Sequence, residues 1–545
     1  SNNDLLGYRL DIKVDPATKH VSGKNTIRMR MLNDDSKVQI DLWANLNVDK
    51  ILLGTTPLKY TRELNAVFVE FPSEVKAGRE LAIDFYYSGT PTQTGRFGGF
   101  VFSTDPKGRP WIYTACEGEG SSIWWPSKDQ WRDEPDEMDI SVAVPSALTN
   151  VSNGRFVSKK DVGGGFTQWN YHVSYPINSY NVSINVGAYE HFTDRLGPLT
   201  MDFFALPEDL DKAKAQFVQA KPMIEAFAHY FGEYPFARDG YKLIQVPYTG
   251  MEHQTAVTYG NGFKNGYGGR DWTGVGVSPK FDFIIIHESG HEWFGNAVSA
   301  ADVADMWIQE GFCTYLEVMY VEQVFGAADA LKYINGYKSK VQNRTPVQRT
   351  RGRHQSPQGN DQYFKSALFL HTMRSVMNDD TKWWALVREV YDTFKYKNIL
   401  TEDISTLFTK RFGKDMVPVF NQYLRHTALP QLELVFDAPD KKVSYRWKAD
   451  ETKFAMPIRV GEKTAWQTIT PTTAWQTMDS PLTKDQFDVD AEWFYVTVSK
   501  TDKTGDLPAA PAAAAASAAA SSSVKAPAGA APSPGCRAGS RGSAR

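Results

Sequence analysis

The chain has 545 residues and a formal net charge of −3. Single hydrophobic cores stop growing near about 250–300 residues, so a chain of this length is predicted to form roughly two to four domains. The near balance of charges argues against nucleic acid as the main partner, and no apolar run approaches the roughly 18 residues of a membrane span. The cysteines Cys116, Cys313 and Cys536 are scattered, which indicates neither a disulfide framework nor a cysteine metal site.

The first region, from about residue 5 to 195, is predicted to be rich in β-strands. Its segments YRLDIKV and NTIRMRML alternate apolar and polar residues, as half-buried strands do. Turn-forming clusters such as DPATKHVSGK and LNDDSK separate these segments. The chain begins directly in a strand-like segment. An exported protein, periplasmic or secreted, therefore stays an open alternative, with a leader that is absent from this sequence.

Three further regions follow. From about residue 200 to 430 the apolar residues recur with a helical period, and from about 431 to 500 strand-like segments return in LELVF, KVSYRW and WFYVTV. The segment after Lys500 is rich in alanine, proline and serine and is predicted to be disordered. We therefore predict a multidomain α+β protein with domains at 1–195, 196–430 and 431–500 and a low-complexity tail at 501–545.

The segment FDFIIIHESGHEWFGNAV (281–298) places two histidines and two glutamates directly after an apolar run. Ser278, followed by a proline, is a suitable N-cap, which predicts a helix from this point. On a helix, His287 and His291 are four residues apart and lie on the same face, so they can share one zinc ion. Glu288, within the H-E-x-x-H pattern, is then positioned to take a proton from the attacking water.

A second helix is predicted in ADMWIQEGFCTYLEVMYVEQVFG, with Asp302 as its N-cap and Gly326 as its end. Glu310 lies on this helix, and the 18 residues between His291 and Glu310 suffice for a turn that returns the carboxylate to the histidine pair. Two histidines and one glutamate leave a fourth zinc position open, which is typical of a catalytic site. Zinc-bound histidines normally donate their second ring N–H to a neighbouring acceptor. The candidates near Glu310 are Gln309, Thr314 and Glu317, and the sequence alone does not distinguish among them.

These motifs resemble those of the aminopeptidase N and leukotriene hydrolase family of gluzincins. The zinc signature is HESGH at 287–291 followed by WIQEG at 307–311. Upstream, the GME segment at 250–252 resembles the exopeptidase motif G-x-M-E-N. Downstream, Tyr363 and Lys365 resemble the Y-x-K-G element of the family. Four ordered motifs at compatible spacing make this resemblance specific, and it covers roughly residues 5 to 430.

Two positions depart from the family pattern. His253 stands where the family usually has asparagine, and Ser366 stands where it usually has glycine. These departures concern the fine geometry of substrate binding and not the class of reaction. His253 could touch the substrate backbone or only pack in the core.

The resemblance implies a zinc-dependent aminopeptidase, a metalloprotease that binds one Zn²⁺ per chain and removes the N-terminal residue from peptides. It also implies a β-rich saddle domain, a thermolysin-like α/β catalytic domain and a small C-terminal β-sandwich. In this scheme His287, His291 and Glu310 hold the zinc, and Glu288 acts as the general base. Tyr363 is the candidate that donates a hydrogen bond to the developing oxyanion.

An aminopeptidase must also bind the free α-ammonium of its substrate, and a desolvated cation needs carboxylate partners. Glu252 is the first candidate, together with Gly250 and Met251 of the same motif. Glu117 is the second, since it matches the family position that touches the amine. If the segment is extended, Glu119 points to the same side as Glu117 and favours a basic first residue.

Two alternative functions stay open at this point. A thermolysin-type zinc endopeptidase is one, although the exopeptidase motif speaks against it, and a non-catalytic scaffold on the same fold is the other. Larger members of the family carry a further helical domain over the site, and no helical segment of this sequence remains for one. The site is therefore expected to be more open or closed by a partner subunit, which leaves a homo-oligomer as an option.

Overall fold

The computed structural model describes residues 1–94, 98–353 and 359–505. The predicted low-complexity tail lies outside the described residues from position 506 onward. A β-rich N-terminal region, a helical region and a C-terminal pair of β-sheets follow one another along the described chain. This order confirms the predicted multidomain α+β class.

Alternating burial explains the strands of the N-terminal region. In the first strand Leu10, Ile12 and Val14 are buried while Arg9 and Asp11 are exposed, because successive side chains point to opposite faces of a sheet. The strands of this region are β1 (Asn3–Asp15), β2 (His20–Met31), β3 (Asp35–Asp41), β4 (Asn47–Leu53), β5 (Thr56–Pro57), β6 (Lys59–Glu63), β7 (Ala66–Val75), β8 (Glu80–Gly89), β9 (Gln93–Thr94), β10 (Gly98–Thr104), β11 (Pro110–Ala115), β12 (Glu137–Pro145), β13 (Thr149–Ser152), β14 (Arg155–Gly163), β15 (Phe166–Val173) and β16 (Ile184–Gly187).

Three sheets share the core of this region. The largest has eight strands in the order β14-β15-β12-β1-β2-β8-β4-β5, with β1 parallel to β12 and antiparallel to β2. The other two have the orders β3-β7-β6 and β13-β16-β11-β10-β9. Trp124 and Trp125 are fully buried in the common core, so the segment that carries Glu117 is anchored by large apolar side chains.

The middle region contains the α-helices and seven described strands: β17 (Glu190–Leu196), β18 (Leu199–Ala205), β19 (Tyr241–Gln245), β20 (Gly250–Met251), β21 (Val257–Tyr259), β22 (Val298–Ala300) and β23 (Lys397–Ile399). The first five form a sheet of order β17-β18-β19-β21-β20, in which β20 is an edge strand, and β22 pairs with β23. Its helices are α1 (Leu210–Gln216), α2 (Ala220–Phe231), α3 (Phe283–Gly290), α4 (Trp307–Phe325), α5 (Ala327–Gly336), α6 (Phe364–Met377), α7 (Asp380–Phe394), α8 (Thr401–Phe412) and α9 (Val417–Leu424).

The C-terminal region forms two sheets, of order β28-β25-β24-β30 and β27-β26-β29. Its side chains share one hydrophobic core with the helices, and the Tyr423 hydroxyl of α9 donates a 2.8 Å hydrogen bond to the Tyr495 backbone oxygen. The strands are β24 (Gln431–Asp437), β25 (Lys442–Lys448), β26 (Ile458–Glu462), β27 (Ala465–Ile469), β28 (Gln476–Asp479), β29 (Asp488–Val489) and β30 (Thr497–Asp502). Within the described ranges, no helix has both the length and the apolar character needed to cross a membrane.

The helix that carries the two histidines begins later than the sequence pattern predicted. Residues Ser278–Lys280 form a separate 3-10 turn, and α3 begins at Phe283 with Asp282 as its N-cap. The Asp282 carboxylate accepts hydrogen bonds from the backbone of the first turn of α3. The predicted cap at Ser278 is wrong because its hydroxyl is used by the preceding loop, where it accepts from the Trp272 backbone at 2.7 Å.

The second helix of the motif follows its predicted signals more closely. Asp302 caps a short 3-10 turn, and α4 starts at Trp307 directly after it. α4 ends at Phe325, and its C-cap is the predicted Gly326, whose φ of 94° is a conformation that favours glycine. α3 and α4 pack closely where Gly290 faces Cys313, since a Cβ atom on Gly290 would lie 3.1 Å from the Cys313 sulfur.

Candidate active site

The two helices α3 and α4 bring the predicted metal ligands together. His287 lies in the last turn of α3, His291 is its C-cap, and Glu310 lies in the first turn of α4. The Glu310 Oε2 atom lies 3.5 Å from His287 Nε2 and 3.2 Å from His291 Nε2. All three side chains are buried. Although burial acts to raise it, the pKa of Glu310 falls to about 2 because the two imidazoles face its carboxylate.

The arrangement of these three donors fits a zinc ion. Zinc–nitrogen and zinc–oxygen bonds of about 2.0–2.1 Å at tetrahedral angles put neighbouring donor atoms about 3.4 Å apart. The separations from Glu310 Oε2 to the two Nε2 atoms are 3.5 and 3.2 Å. Across the described part of the chain, Glu310 Oε2 is buried without a hydrogen-bond partner, a costly state that a bound cation relieves. Two imidazoles and one carboxylate leave a fourth position free.

A cysteine lies close to the same histidines. One ligand atom from each of His287, His291 and Cys313 lies within 4.8 Å of the others. The Cys313 thiol donates a hydrogen bond to the backbone oxygen of His287 at 2.9 Å. This bond holds the thiol against the backbone of α3, and Glu310 supplies the third donor on the Nε2 side of the imidazoles.

The second nitrogen of each histidine is held by a separate hydrogen bond. His287 Nδ1 lies 2.6 Å from Glu317 Oε1, and His291 Nδ1 lies 2.9 Å from the Phe294 backbone oxygen. These bonds leave Nε2 of both rings as the metal-facing atom. Of the three candidates near Glu310, the structure therefore selects Glu317. The sequence could have indicated Glu317 by its spacing from Glu310, because residues seven apart on a helix lie on nearly the same face.

Glu317 itself is supported by two tyrosines that the sequence reasoning missed. The Tyr333 hydroxyl donates to Glu317 Oε2 at 2.7 Å, and the Tyr337 hydroxyl donates to the same oxygen. Burial and the charge of Glu317 raise the pKa of both hydroxyls well above its ordinary value, so they remain donors. They lie four residues apart, on α5 and on the turn that follows it. The sequence around them has no motif that would distinguish them from core tyrosines.

Glu288 lies next to these ligands on α3. One ligand atom each from Glu288, Glu252 and His291 lies within 4.8 Å of the others. Burial raises the pKa of Glu288 to about 7; the charge of Glu252 adds to the rise, and the two histidines oppose it. Gly250 of β20 approaches this residue so closely that a Cβ atom there would lie 3.0 Å from Glu288 Cγ. Glycine at this position therefore lets the edge strand pass directly beside Glu288.

Glu252 and Glu117 are both buried, with exposures of 3% and 5%. Burial raises the pKa of both groups, the charge of His291 opposes the rise, and the negative charge of the neighbouring carboxylates adds to it. Glu252 Oε1 accepts a hydrogen bond from the Tyr180 hydroxyl at 2.9 Å, which in turn accepts one from Gln309 Nε2 at 2.8 Å. Asn296 Nδ2 donates to the Glu252 backbone oxygen at 2.8 Å. Glu252 is therefore held through both its side chain and its backbone.

Tyr180 is another residue that the sequence reasoning missed. It belongs to the N-terminal region, is fully buried and stacks on Trp131 with ring centroids 5.0 Å apart. The segment around it carries no motif that distinguishes it from a core tyrosine. Only the packing of the N-terminal region against the catalytic helices brings its hydroxyl to Glu252.

Tyr363 closes the centre from the start of α6. Its ring lies beside His287 with centroids 5.9 Å apart. Its hydroxyl faces the Glu310 carboxylate, and burial together with that charge raises the pKa of Tyr363 well above its ordinary value. The hydroxyl therefore remains protonated and can donate a hydrogen bond near the metal position.

The structure also gives the surroundings of Glu119, Lys365 and His253, which the sequence singled out. The segment after Glu117 is a turn in which Glu119 and Gly120 both donate backbone hydrogen bonds to the Cys116 oxygen, so the extended geometry expected for Glu119 is wrong. Lys365 Nζ donates to the backbone oxygens of residues 426 and 427. His253 is fully buried with no hydrogen-bond partner on either ring nitrogen among the described residues.

Two protein-family models match the chain. The Peptidase family M1 domain matches residues 216–423, and the Peptidase M1 N-terminal domain matches residues 6–181. The first match contains α3, α4 and their three candidate ligands. The second contains the β-rich region with Glu117 and Tyr180. Together the two matches cover more than half of the chain.

Curated aminopeptidases are among the similar proteins. Leucyl aminopeptidase of Saccharolobus solfataricus is 21% identical over 308 residues, which are 54% of this chain and 38% of that protein. Aminopeptidase B of Rattus norvegicus is 23% identical over 488 residues, which are 78% of this chain and 70% of that protein. The chain thus spans well under half of the archaeal relative and just over two thirds of the rat relative.

Solved structures share the fold of this chain. The M1 zinc metallopeptidase of Deinococcus radiodurans superimposes with a TM-score of 0.65 at 21% identity, covering 79% of this chain and 95% of that one. A mutant of the same metallopeptidase, bound to a Tyr-Ser-Ala substrate, has the same TM-score of 0.65. The two family matches, together with the geometry of the His-His-Glu site, show that the chain belongs to peptidase family M1. This is the zinc aminopeptidase family that its motifs predicted.

Proposed function

We propose that this chain is a zinc-dependent aminopeptidase that hydrolyses the N-terminal residue from peptides by attack of water on the first peptide bond. The observation that carries the proposal is a buried group of four carboxylates (Glu117, Glu252, Glu288 and Glu310) around two imidazoles. So many buried acids are stable only when cations balance them. A divalent metal and the substrate ammonium are the two cations that an aminopeptidase brings to one site.

His287, His291 and Glu310 would hold the zinc ion. When bound, zinc supplies a Lewis acid that polarises the peptide carbonyl and makes water a better nucleophile near neutral pH. Glu317 and the Phe294 backbone oxygen orient the two imidazoles through Nδ1, so the ligands need little rearrangement.

Glu288 is the proposed general base. It takes a proton from the attacking water and delivers it to the leaving amine, so one carboxyl serves both halves of the reaction. Its burial and its position beside His287 support this role. The endopeptidase alternative would use the same step, so Glu288 does not distinguish the two functions.

Tyr363 is the proposed donor to the oxyanion of the tetrahedral intermediate. A single preorganised donor of this kind is typically worth about 10²–10³ in rate. Gly250 and Met251 form the edge strand β20, and an unpaired edge can bind an extended substrate through backbone hydrogen bonds. This arrangement would align the peptide with Glu288.

Glu252 and Glu117 are the proposed anchors of the α-ammonium. The negative charge of Glu252 raises the pKa of Glu117, and a substrate cation beside both carboxylates would relieve this repulsion. This feature favours the aminopeptidase over the thermolysin-type endopeptidase, which has no need of a buried acid pair. The proposed substrates are therefore peptides with a free N-terminus.

We also retain the domain division at 1–195, 196–430, 431–500 and 501–545 as a proposal. The hairpin of β17 and β18 spans the first boundary and pairs with β19 of the helical region. A homo-oligomer in which a second copy closes the open side of the site belongs to the same proposal.

Hydrolysis of a panel of aminoacyl anilides and short peptides, with and without a chelator, tests the function. We expect release of free N-terminal residues that stops on chelation and returns with zinc. N-acetylated copies of the same peptides should remain intact. Cleavage of acetylated peptides inside the chain would instead identify the endopeptidase, and absence of any zinc-dependent cleavage would identify the non-catalytic scaffold.

A further inference from the structure

A cavity lies between the β14–β15 pair of the N-terminal region and strands β17, β18 and β19 of the middle region, and residues from both sides line it. Its volume is about 630 Å³, within the range of about 300–1,000 Å³ that is typical of small-molecule sites. The lining found among the described residues contains none of those proposed to bind zinc, transfer protons or bind the substrate. The cavity is therefore a candidate site separate from the catalytic centre.

Aromatic rings line both sides of this cavity. On the first side Phe156 is 50% exposed, and its ring lies 5.6 Å from Tyr171 and 5.9 Å from Trp169, measured between centroids. On the other side His191 stacks on Phe204 with centroids 4.6 Å apart. A large aromatic ring that stays half exposed keeps apolar surface in water, and covering that surface is favourable. These walls fit a ligand with an aromatic body.

The same cavity is lined by four cationic side chains: Arg155, Lys159, Arg238 and Lys242. Two of them bond to one neighbour, since Arg155 Nη1 donates to the Ser174 hydroxyl at 2.9 Å and Arg238 Nη2 donates to the Ser174 backbone oxygen at 2.5 Å. Lys159 Nζ lies 5.1 Å from the centroid of the Trp169 ring. Within the described ranges, none of the four forms an ion pair with a carboxylate. The cations are thus available to a ligand.

Lys242 is the cation that matters most, because it is only 4% exposed. Its Nζ donates to the Gly154 backbone oxygen and lies 6.0 Å from the centroid of the Tyr171 ring. Burial lowers the pKa of Lys242 to about 8, and the charges of the nearest carboxylates oppose the fall. A buried ammonium without a paired charge is costly, and an anion bound beside it would relieve that cost.

Two carboxylates, Asp202 and Asp239, also line the cavity. Asp202 Oδ1 lies 2.7 Å from His191 Nε2 and accepts a hydrogen bond from the Thr193 hydroxyl at 2.9 Å. Asp239 Oδ2 accepts from the Ser174 backbone at 2.8 Å. Four cations against two carboxylates leave an excess of two positive charges. Three of the cations are exposed and screened by salt, so the buried ammonium of Lys242 best matches a single negative charge.

We propose that this cavity binds an aromatic carboxylate, with the ring against Phe156 and Trp169 and the carboxylate beside Lys242. A free aromatic acid has this chemistry, and so does the carboxyl terminus of a peptide that ends in an aromatic residue. The inference does not depend on the proposed aminopeptidase function, because no residue of the catalytic centre takes part in it.

Calorimetric titration of the zinc-loaded full chain with 3-phenylpropionate tests the inference. The matched probes are 3-phenylpropionamide, which has the same ring and no charge, and acetate, which has the charge and no ring. We expect saturable binding of one 3-phenylpropionate per chain, with a Kd at least tenfold lower than that of either matched probe. Equal affinity for the acid and the amide, or for the acid and acetate, would overturn the proposal.

Variants locate the bound acid. Lys242→Met keeps an apolar side chain of similar length and should raise the Kd at least tenfold, whereas Lys159→Gln should raise it about threefold, since that charge is exposed. Lys13→Gln is the matched control and should leave the Kd unchanged, because the Lys13 ammonium also lies over an aromatic ring but on β1. Circular dichroism and Tm report whether Lys242→Met folds, and the exposed Lys159→Gln keeps the test decisive if it does not.

The remaining outcomes distinguish the source of the ligand from a wrong assignment. N-acetyl-Ala-Ala-Phe, whose blocked amine cannot pair with the proposed ammonium anchors, is the peptide probe. Tighter binding of this peptide than of 3-phenylpropionate would identify a peptide carboxyl terminus, and weaker binding a free acid, and either supports the shared chemistry. Binding of 3-phenylpropionate that is unchanged in both Lys242→Met and Lys159→Gln would place the acid elsewhere, for instance on zinc, and would overturn the proposal.

Discussion

At the scale of single residues, each histidine beside the metal position uses its two ring nitrogens for different purposes. Nε2 faces Glu310, while Nδ1 is fixed by Glu317 in one ring and by a backbone oxygen in the other. The tautomer and the ring orientation are thereby set before a metal binds. Glu288 has no such ligand role, so ligand and base functions can be separated by substitution.

Glu288→Gln is predicted to keep zinc and lose turnover. The amide has nearly the same shape as the carboxyl group but cannot take a proton, so kcat should fall about 10²–10⁴-fold. Zinc content by elemental analysis should stay near one per chain. Glu225→Gln, on the exposed face of α2, is the control and should match the parent. Normal peptide hydrolysis by Glu288→Gln would rule out the proposed mechanism.

Glu252→Gln is predicted to weaken substrates with a free amine. The side-chain amide of this variant keeps an oxygen for the Tyr180 hydroxyl, but the charge opposite the ammonium is lost. Losing one partner of a desolvated charge pair commonly costs about 2–5 kcal/mol, which should appear as a lower kcat/KM for aminoacyl anilides. Zinc content should not change. If the variant handles these substrates as the parent does, Glu252 does not anchor the amine.

At the scale of single elements, α4 combines two tasks on one face. Glu310 in its first turn faces the metal position, and Glu317 two turns later supports a histidine of α3. Helical periodicity alone brings these two side chains into line. The α3 start illustrates the opposite case, since Ser278 matched a capping pattern and the buried Asp282 caps the helix instead.

Glu317→Ala is predicted to weaken zinc binding by about 10–100-fold, because His287 loses the partner that orients its ring. Glu317→Gln should be intermediate, since the amide oxygen can still accept a hydrogen bond from Nδ1. Competition with a chromophoric chelator measures both affinities, and circular dichroism reports whether the variants fold. An unchanged zinc affinity in folded Glu317→Ala would show that this hydrogen bond does not support the site.

A second element, α6, contains a histidine that should make stability depend on pH. His371 is buried and stacks on Trp493 with centroids 5.0 Å apart. Burial lowers the pKa of His371 to about 3, and the charges of Arg374, Lys338 and Arg459 lower it further. In the unfolded chain the pKa of a histidine is about 6.5, so below that pH the unfolded state binds a proton that the folded state does not.

The folded state should therefore lose stability as the pH falls below about 6.5, by about 1.4 kcal/mol per pH unit for this group. His371→Phe, which keeps an aromatic ring on Trp493, should reduce the fall in Tm between pH 6.5 and 5. His229→Gln, at an exposed position of α2, is the control and should keep the slope of the parent. Equal slopes for the parent and His371→Phe would contradict the assignment.

At the scale of the whole molecule, the site is assembled from two separate cores. The N-terminal core positions Glu117 and Tyr180, and the core shared by the helices and the C-terminal sheets positions α3, α4 and α6. Met251, next to Glu252, packs in the N-terminal core although it belongs to the sheet of the helical region. The proposed ammonium anchors thus depend on the contact between the two regions.

Removal of zinc is predicted to lower the thermal stability of the whole chain. Without the metal, Glu310 and its buried carboxylate neighbours lose their main counter-charge, and a ligand that binds only the folded state stabilises it by about 4 kcal/mol at a thousandfold excess over Kd. Calorimetry before and after treatment with a chelator should show a lower Tm that zinc restores. His291→Ala should not respond to either treatment. An unchanged Tm in protein shown by elemental analysis to be metal-free would contradict the prediction.

Local spacing along the chain was enough to predict the metal ligands and the class of fold. Four-residue spacing on a helix places His287 and His291 on one face, and strand alternation marks the buried side of β1, because both periods are properties of the backbone. The 18 residues between His291 and Glu310 indicated the third ligand, and the family motifs then identified Glu252 and Tyr363 as candidates before any contact was known. Family membership and the α+β class followed from the same local patterns.

The distant side chains that complete the site could be identified only from the three-dimensional packing. Tyr180 reaches Glu252 across 72 residues of sequence, and Tyr333 reaches Glu317 from the following helix. The segment from Glu117 to Glu119 is a turn and not an extended strand, which strand spacing alone did not predict. Such contacts depend on how cores pack and where loops close, and no local period encodes either, so the supporting partners became visible only in the folded chain.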